Sequence, residues 1–474
     1  MTPQVAAPSS VTTMADLLDP DSFVSWDHAP VTAGFTQNYL TALRAAAERS
    51  GTDEAVTTGE GLIEGRRVAL IYSEFAFLGG SIGSVAADRI IAAIERATTQ
   101  RLPLIASTAT GGTRMQEGTA AFLRMVPITA AITRHKAAGL LYLVHLRHPT
   151  TGGVFASWAS LGHVSVAEPG ALIGFLGPKV YSALHGTAFP RGVQTAEALS
   201  AHGLVDAVVL TRQLASWTAR LLSLVDTTPA PDAIPADKPL PSGPEPTAWE
   251  AVLRSRRPER PGVRELLRTS AETVTLGGSE DNALVLALAR FGGVPCVLAG
   301  QDRRAAQPVG PRDLRLARRG MRLAEQLRLP FVTVIDTAGA ALSPAAEHDG
   351  LAHEIALCLA ELPALPVATL AVLLGQGAGG AALALLPADR VLAARNSWLA
   401  PLPPEGAAAI QYGDSARAAD AATAQGIRST DLFRDGTVHR IIDERPDAAE
   451  EPEDFVRRTA AAIGTELRSA TTSS

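Results

Sequence analysis

Cysteine is nearly absent from this chain of 474 residues: there are two, Cys296 and Cys358. Two thiols cannot build a disulfide framework or a four-cysteine zinc site, so neither is expected, and their scarcity suits a reducing compartment. Lysine is almost as rare, with Lys136, Lys179 and Lys238 against 39 arginines. Aromatic residues make up 5% and charged residues 19%, and the net charge of −6 offers no electrostatic pull toward nucleic acid or an acidic membrane. The stretch from Met1 to Phe23 has neither a basic head nor a continuous apolar run, so it does not read as a targeting peptide, and a cytoplasmic location is expected. One span, Leu365 to Ala388, approaches membrane-like hydropathy, but Gln376 and four glycines between Gly375 and Gly380 interrupt it. It reads as a buried strand, a glycine turn and a buried helix.

What the chain does have is glycine, proline and a repeat. Seven prolines between Pro229 and Pro246 forbid helix or central strand, which makes residues 226–247 a linker between domains at 1–225 and 248–474. Sliding the halves by 227 positions lays Gly65 on Gly292, Arg101-Leu102-Pro103 on Arg328-Leu329-Pro330, Thr110 on Thr337 and Gly152-Gly153 on Gly379-Gly380. At an offset of 233, Gly203 and Val205 meet Gly436 and Val438. The halves read as two copies of one fold. Ile82, Val85, Ala86, Ile90 and Ile94 share a helical face ahead of a Leu104-Ile105-Ala106 strand; Leu314, Ala317, Met321 and Ala324 repeat it ahead of Phe331 to Ile335. Strands alternating with such helices predict a largely parallel sheet with ligand sites at the strand ends.

The strand ends are where glycine clusters: Gly79-Gly80, Gly111-Gly112, Gly152-Gly153, Gly339 and Gly377 to Gly380. Without a Cβ, a ligand can approach the backbone, and where a cluster opens a helix the first N–H groups point at that ligand. Such loops suit an anion or an oxyanion, or else simply allow tight packing. They match neither the phosphate loop nor the dinucleotide pattern. There is no clear Ser-His-Asp set and no metal-spaced histidine cluster; His135, His145, His148 and His163 read as core or surface residues, the two thiols as core, and Arg315, Arg318, Arg319 and Arg322 as a basic helix stripe, a solvated face or a phosphate contact.

At these clusters the sequence resembles the carboxyltransferase component of biotin-dependent acyl-CoA carboxylases, acetyl-CoA carboxylase type, as a fused beta-alpha chain. The first half is similar to the beta subunit through Phe75 to Ser84, Gly111 to Glu117, Pro149 to Ser157 and Ala167 to Phe175. The second half is similar to the alpha subunit through Arg257 to Pro261, Ile335 to Ala340, Gly379 to Ala384 and Pro404-Glu405-Gly406. The resemblance implies two tandem crotonase-like domains of β-β-α spiral type. It implies transfer of a carboxyl group from carboxybiotin to the α-carbon of an acyl-CoA, acetyl-CoA giving malonyl-CoA first among them, with the released biotin enolate as base, so that no protein acid-base pair is required. By the family pattern Gly152 and Gly153 would donate to the thioester oxygen, and Gly380 and Ala381 to the biotin ureido oxygen. Gly111, Gly112 and Arg114 would serve the coenzyme A entry and its phosphates, with Gly379, Pro404 and Gly406 at the biotin side. No lysine stands in a Met-Lys-Met setting, so biotin is expected on a separate carrier protein charged by a separate biotin carboxylase. The family further implies homo-oligomers, commonly hexamers, in which the N-terminal half of one protomer faces the C-terminal half of another.

There are departures. No cysteine precedes Cys296, so the beta-subunit zinc ribbon is missing; Gln376 replaces an acidic residue; Lys179 replaces an arginine; and Ala400-Pro401-Leu402-Pro403-Pro404 replaces a more polar run. A malonyl-thioester decarboxylase and a silent scaffold subunit are the alternative readings.

Overall fold

The computed structural model describes residues 13–226, 245–270, 272–277 and 282–472. They cluster into two compact units, the first running to Ser223 and taking in Gly277, the second beginning at Leu224. Of the proline-rich stretch, 227–244 lie outside the described residues.

The first unit carries β1 (Val24–Ser25), β2 (Val56–Ile63), β3 (Arg66–Ser73), β4 (Leu104–Thr110), β5 (Tyr142–Thr151), β6 (Val164–Ala167), β7 (Ile173–Gly174) and β8 (Ala207–Val208). The sheet order is β1-β2-β3-β4-β5-β6-β8, with β7 pairing the far end of β5. The second unit carries β9 (Thr273–Leu276), β10 (Leu284–Phe291), β11 (Val294–Gln301), β12 (Phe331–Thr337), β13 (Thr369–Ala378), β14 (Arg390–Ala394), β15 (Trp398–Ala400) and β16 (Arg440–Ile442). Its order is β16-β14-β13-β12-β11-β10-β9, with β15 pairing β13. Each sheet is largely parallel, as expected, with an antiparallel edge: β1 to β3 and β9 to β11 pair antiparallel, and the strands beyond them parallel.

The repeat holds at the level of register. Leu104 pairs Tyr142 as Phe331 pairs Thr369, and the ladder slips once between Thr108 and Thr110 and once between Ile335 and Thr337. Gly65 (φ +76°) and Gly292 (φ +59°) turn the β2–β3 and β10–β11 hairpins, while Arg101 and Arg328 take left-handed conformations, φ 53° and 56°, beside Leu-Pro.

Each sheet is covered by the helix the periodicity predicts. Helix Ser84–Thr99 buries Ala86, Ile90, Ala93, Ile94 and Ala97; Ile82 lies ahead of it, bridging to Thr113. Helix Pro311–Leu327 buries Leu314, Ala317, Met321 and Ala324, and its start is capped by Asp313, which accepts the Gly310 N–H at 2.8 Å. Each fully buried Ile or Met stabilises the fold by about 1.5–3 kcal/mol. The apolar span at 365–388 resolves into β13 and the short helix Gly379–Leu383. Among the described residues no helix is long and apolar enough to cross a membrane.

Candidate active site

In the first unit β4 and β5 run side by side and end together, and the chain leaves them through Gly111-Gly112 and Gly152-Gly153. Gly112 (φ +107°) and Gly152 (φ +68°) touch backbone to backbone. A Cβ on Gly152 would stand 3.2 Å from the Gly111 carbonyl oxygen and 3.3 Å from Gly112 Cα. One on Gly112 would stand 3.3 Å from both Gly152 Cα and Gly153 N. This contact explains the residue type, since any side chain would part the two strand ends. The Thr110 hydroxyl accepts the Gly112 N–H at 2.9 Å, and Gly111 donates to the Gly79 carbonyl at 2.8 Å, which ties three glycine loops into one corner. Helix Gly152–Phe155 starts there, and first-turn N–H groups have no acceptor within their own helix.

Two sequence expectations change at this corner. The Gly152 N–H, expected to face a thioester oxygen, donates instead to the Phe175 carbonyl at 3.1 Å, because β7 runs alongside the end of β5. Gly153 is the second residue of the helix, where an N–H has no acceptor in its own helix. Arg114, expected at coenzyme A phosphates, is fully buried. Its guanidinium pairs with the Glu54 carboxylate and donates to the Tyr39 hydroxyl at 3.1 Å and the Ser81 carbonyl at 2.6 Å. Burial would strip the charge, but Glu54 and Tyr39 more than offset it and hold the guanidinium protonated. Arg114 fastens the loop; it has no face left for phosphate.

The second unit repeats the corner with different neighbours. The Thr337 hydroxyl accepts the Gly339 N–H at 3.1 Å, and Gly379 is left-handed at φ +66°. Pairing of β15 with β13 brings the 401–404 segment alongside, so that a Cβ on Gly379 would stand 3.4 Å from the Pro401 carbonyl. A Cβ on Gly380 would meet Ile355 Cδ1 at 2.9 Å, and the Ala381 carbonyl accepts from Gln301 Nε2 at 2.7 Å. Pro404 and Gly406 open helix Pro404–Tyr412.

Beside this corner lies a cavity of about 640 Å³, walled among others by Arg256, Gln301, Arg303, Asp336, Gly339 and Gln376. Its arginines are matched: Arg256 with Glu405 at 2.5 Å, Arg303 with Asp336 at 3.0 Å, Arg304 with Glu265 at 2.7 Å. Burial pushes the Asp336 carboxyl up, and Arg303 and the Gln376 N–H partly counter it. The result is a wall rich in hydrogen-bonding groups and nearly balanced in charge. Arg256 carried no signal in the sequence, its partner Glu405 being 149 residues away.

Of the histidines and thiols singled out in the sequence, His135, His145, His163 and both cysteines are buried, and His148 is exposed. Burial lowers His145 to about 3 and His135 to about 4, and both hydrogen-bond within the core, to Ser107 and to Thr98 and the Leu141 carbonyl. The His163 ring accepts the Tyr142 N–H at 3.0 Å, and His148 accepts that of Leu172 at 3.1 Å. Burial pushes the Cys296 and Cys358 thiols up to about 12. The expected basic stripe is not a free face: Arg315 and Arg318 clasp Glu354 and Glu361 of helix Leu351–Glu361, and Arg315 also Asp349 in the turn before it. Among the described residues no group of three or more His, Cys, Asp and Glu is placed to hold a metal ion.

Comparison with known proteins gives one answer. The family described as carboxyl transferase domain matches residues 10–472. A probable biotin-dependent acyl-coenzyme A carboxylase beta3 subunit of Mycobacterium tuberculosis is 57% identical over 459 residues, spanning 95% of this chain and 92% of its own. The acetyl-coenzyme A carboxylase carboxyl transferase subunits beta/alpha of Salinispora arenicola are 37% identical over 465 residues, spanning 92% and 82%. Among solved structures, transcarboxylase 12S, described as a hexamer with methylmalonyl-coenzyme A and methylmalonic acid bound, superposes with a TM-score of 0.76 at 21% identity, over 97% of this chain and 89% of that one.

Proposed function

The chain belongs to the carboxyl transferase domain family, and from that premise we propose that it moves a carboxyl group from biotin on a separate carrier protein to the α-carbon of an acyl-CoA. It is a biotin-dependent acyl-CoA carboxyltransferase of two crotonase-like domains, and acetyl-CoA giving malonyl-CoA is the first pair to examine. The observation that carries the reading is the glycine corner, built twice in one register and each time opening a short helix beside a strand end.

In this proposal the Gly153 N–H donates to the thioester oxygen of the acyl-CoA as negative charge develops there; one such donor contributes about 3 kcal/mol to lowering the barrier. Gly111 and Gly112 leave the backbone bare where the coenzyme passes. In the second unit Gly380 and Ala381 are the corresponding donors, with Gly379, Pro404 and Gly406 at their edge. Bound biotin supplies the carboxyl group and the base. The fit is chemical: a cyclic urea is neutral and has hydrogen-bonding groups of both kinds, and the cavity is charge-matched and walled by carboxamides and a hydroxyl. The burial of His135, His145, His163 and the two thiols agrees with chemistry that asks the chain for orientation and oxyanion donors rather than for a base.

The proposed partners are a biotin carboxyl carrier protein, a biotin carboxylase and further copies of this chain, in the cytoplasm. Exposed apolar side chains recur 227 positions apart in both units, Met115 and Leu342, Phe175 and Leu402. Such a recurring apolar surface supports assembly of several copies, proposed as a hexamer.

The test is the reverse half-reaction: purified protein, biocytin, and malonyl-CoA or methylmalonyl-CoA, following the decarboxylated thioester. Biotin-dependent turnover is expected, and the preferred thioester names the substrate. Turnover without biotin would point to a malonyl-thioester decarboxylase; silence in an assembled oligomer would point to a scaffold.

A further inference from the structure

Gln376 stands alone as a polar side chain in a run of glycine and alanine, Gly375 to Gly380. Its backbone is pinned: the N–H donates to Asp336 Oδ1 at 3.0 Å, and the residue pairs with Trp398 of β15. Gly375 lies against the Asp336 carboxylate, and a Cβ on Gly377 would stand 2.7 Å from the Trp398 carbonyl, so the strand cannot shift on either side. Its side chain, half-buried, is one wall of the cavity.

The orientation of the carboxamide is also fixed. Arg256 Nε–H donates to Gln376 Oε1 at 3.2 Å. A guanidinium has donors only, so the amide must turn its oxygen to Arg256 and its NH2 group the other way. Arg256 is itself held by Glu405, which accepts at 2.5 and 3.0 Å in the two-pronged geometry that fixes a guanidinium plane. Glu405 sits in the first turn of its helix, where the dipole favours a carboxylate. Among the described residues the Gln376 NH2 group has no partner.

We propose that Gln376 is the ligand-facing donor of this cavity, presenting its side-chain NH2 to an oxygen of the cyclic urea of biotin, and that Arg256 and Glu405 are positioning residues that keep the amide turned that way. The inference rests on the reading that the cavity takes biotin. The acidic residue that Gln376 replaces would compete with Glu405 for Arg256 and offer the ligand no donor, so this side-chain donor is particular to this chain and adds to the backbone N–H groups of the corner. With the cavity's arginines already matched by acids, recognition here runs through directed hydrogen bonds and not through net charge.

The experiment is equilibrium binding of biocytin to the full assembled chain, beside the reverse half-reaction. Gln376→Met keeps the length and removes the donor; about tenfold weaker biocytin binding is expected, the worth of one hydrogen bond. The KM for biocytin should rise in step while the KM for the acyl-CoA stays put, a split that general loosening of the fold would not produce. Gln376→Glu, nearly the same shape, should weaken biocytin as much; it guards against a folding artefact in the methionine variant. Glu405→Gln should weaken binding by a smaller factor, about two- to threefold, since Arg256 loses its charge-assisted anchor but the amide remains. Unchanged biocytin binding in both Gln376 variants overturns the inference and leaves the functional reading intact. Failure of the unaltered chain to bind or use biocytin overturns the functional reading itself, and the inference with it.

Discussion

Alanine at Gly152 separates two effects that a glycine substitution usually mixes. The first is conformational: at φ +68° an alanine costs about 1 kcal/mol relative to glycine. The second is contact. The new methyl would stand 3.2 Å from the Gly111 oxygen and 3.3 Å from Gly112 Cα, both backbone atoms at the end of β4 that cannot swing aside. The ends of β4 and β5 must therefore part by a few tenths of an ångström, and the residue carried with them is Gly153, the proposed thioester donor. If that N–H loses its place, the barrier rises by up to about 3 kcal/mol, or roughly a hundredfold in kcat. Gly65→Ala is the control: it has the same kind of backbone angle, φ +76°, in the β2–β3 turn, with nothing within 4 Å of the added methyl. The assay is kcat in the reverse half-reaction together with the thermal midpoint. Both variants should lose the conformational increment, Gly152→Ala more because of its contact, and only Gly152→Ala should lose the hundredfold in rate. A kcat for Gly152→Ala within about threefold of the control would refute the argument, because the donor would then be insensitive to the corner that holds it.

Arg114→Met should unfold more easily by about 3–5 kcal/mol, since Glu54 is left buried without its partner, with no selective rise in the KM for acyl-CoA; a KM effect at unchanged stability would restore the phosphate role. Glu444, fully buried, is pushed up by burial, but Arg260 and Asn396 more than offset this and hold its carboxyl below the usual range. Its stabilising contribution is therefore complete above the unfolded value of about 4.3 and is lost as the pH falls through the folded one. Thermal midpoints taken from neutral to acid pH should decline along that limb, and Glu444→Gln should lower the neutral midpoint and flatten the decline; parallel curves would contradict the assignment. Cys296 and Cys358, with thiols pushed up to about 12, should resist iodoacetamide in the native protein and react once it is denatured, as mass spectrometry would show; rapid native labelling would contradict their burial.

The repeat made much of the fold legible in the sequence. Gly65 and Gly292, and Thr110 and Thr337, are local features, a turn and a hydroxyl holding an N–H two residues on, each set by its own residue type, while Arg101 and Arg328 mark matching helix ends ahead of Leu-Pro. The glycine pairs were legible as places where backbone approaches backbone. What the sequence could not tell is which groups meet across long separations. Arg114 finds Glu54 from 60 residues away and becomes part of the core, and the Gly152 N–H is taken by Phe175 of a strand-end segment with no marker of its own. Arg315 and Arg318 are a basic stripe by spacing alone; the acids that clasp them lie on another helix and the turn before it, 34 to 43 residues on.

The two copies share a backbone and differ in where they keep their polar groups, and that difference argues for a division of labour. Within the first unit's sheet lie Ser107, His145 and Arg147, buried and hydrogen-bonded, with Arg147 donating to the Tyr72 hydroxyl at 2.7 Å. The positions 227 residues on are Val334, Val372 and Leu374, all apolar and buried. At the strand ends the contrast reverses. The first unit has Ala109 and Pro149 where the second has Asp336 and Gln376, so polar side chains reach the second unit's cavity while the first unit's corner exposes mainly backbone. A thioester oxygen needs little more than well-placed N–H groups, whereas a cyclic urea has both donors and an acceptor to satisfy. Asp336 is already matched by Arg303 and the Gln376 N–H, and Arg256 holds the Gln376 oxygen, which leaves the Gln376 NH2 group to meet a ligand at this corner. That contrast supports the proposed division, acyl-CoA at the first unit's corner and biotin at the second's, with the glycine corner as the part both would share.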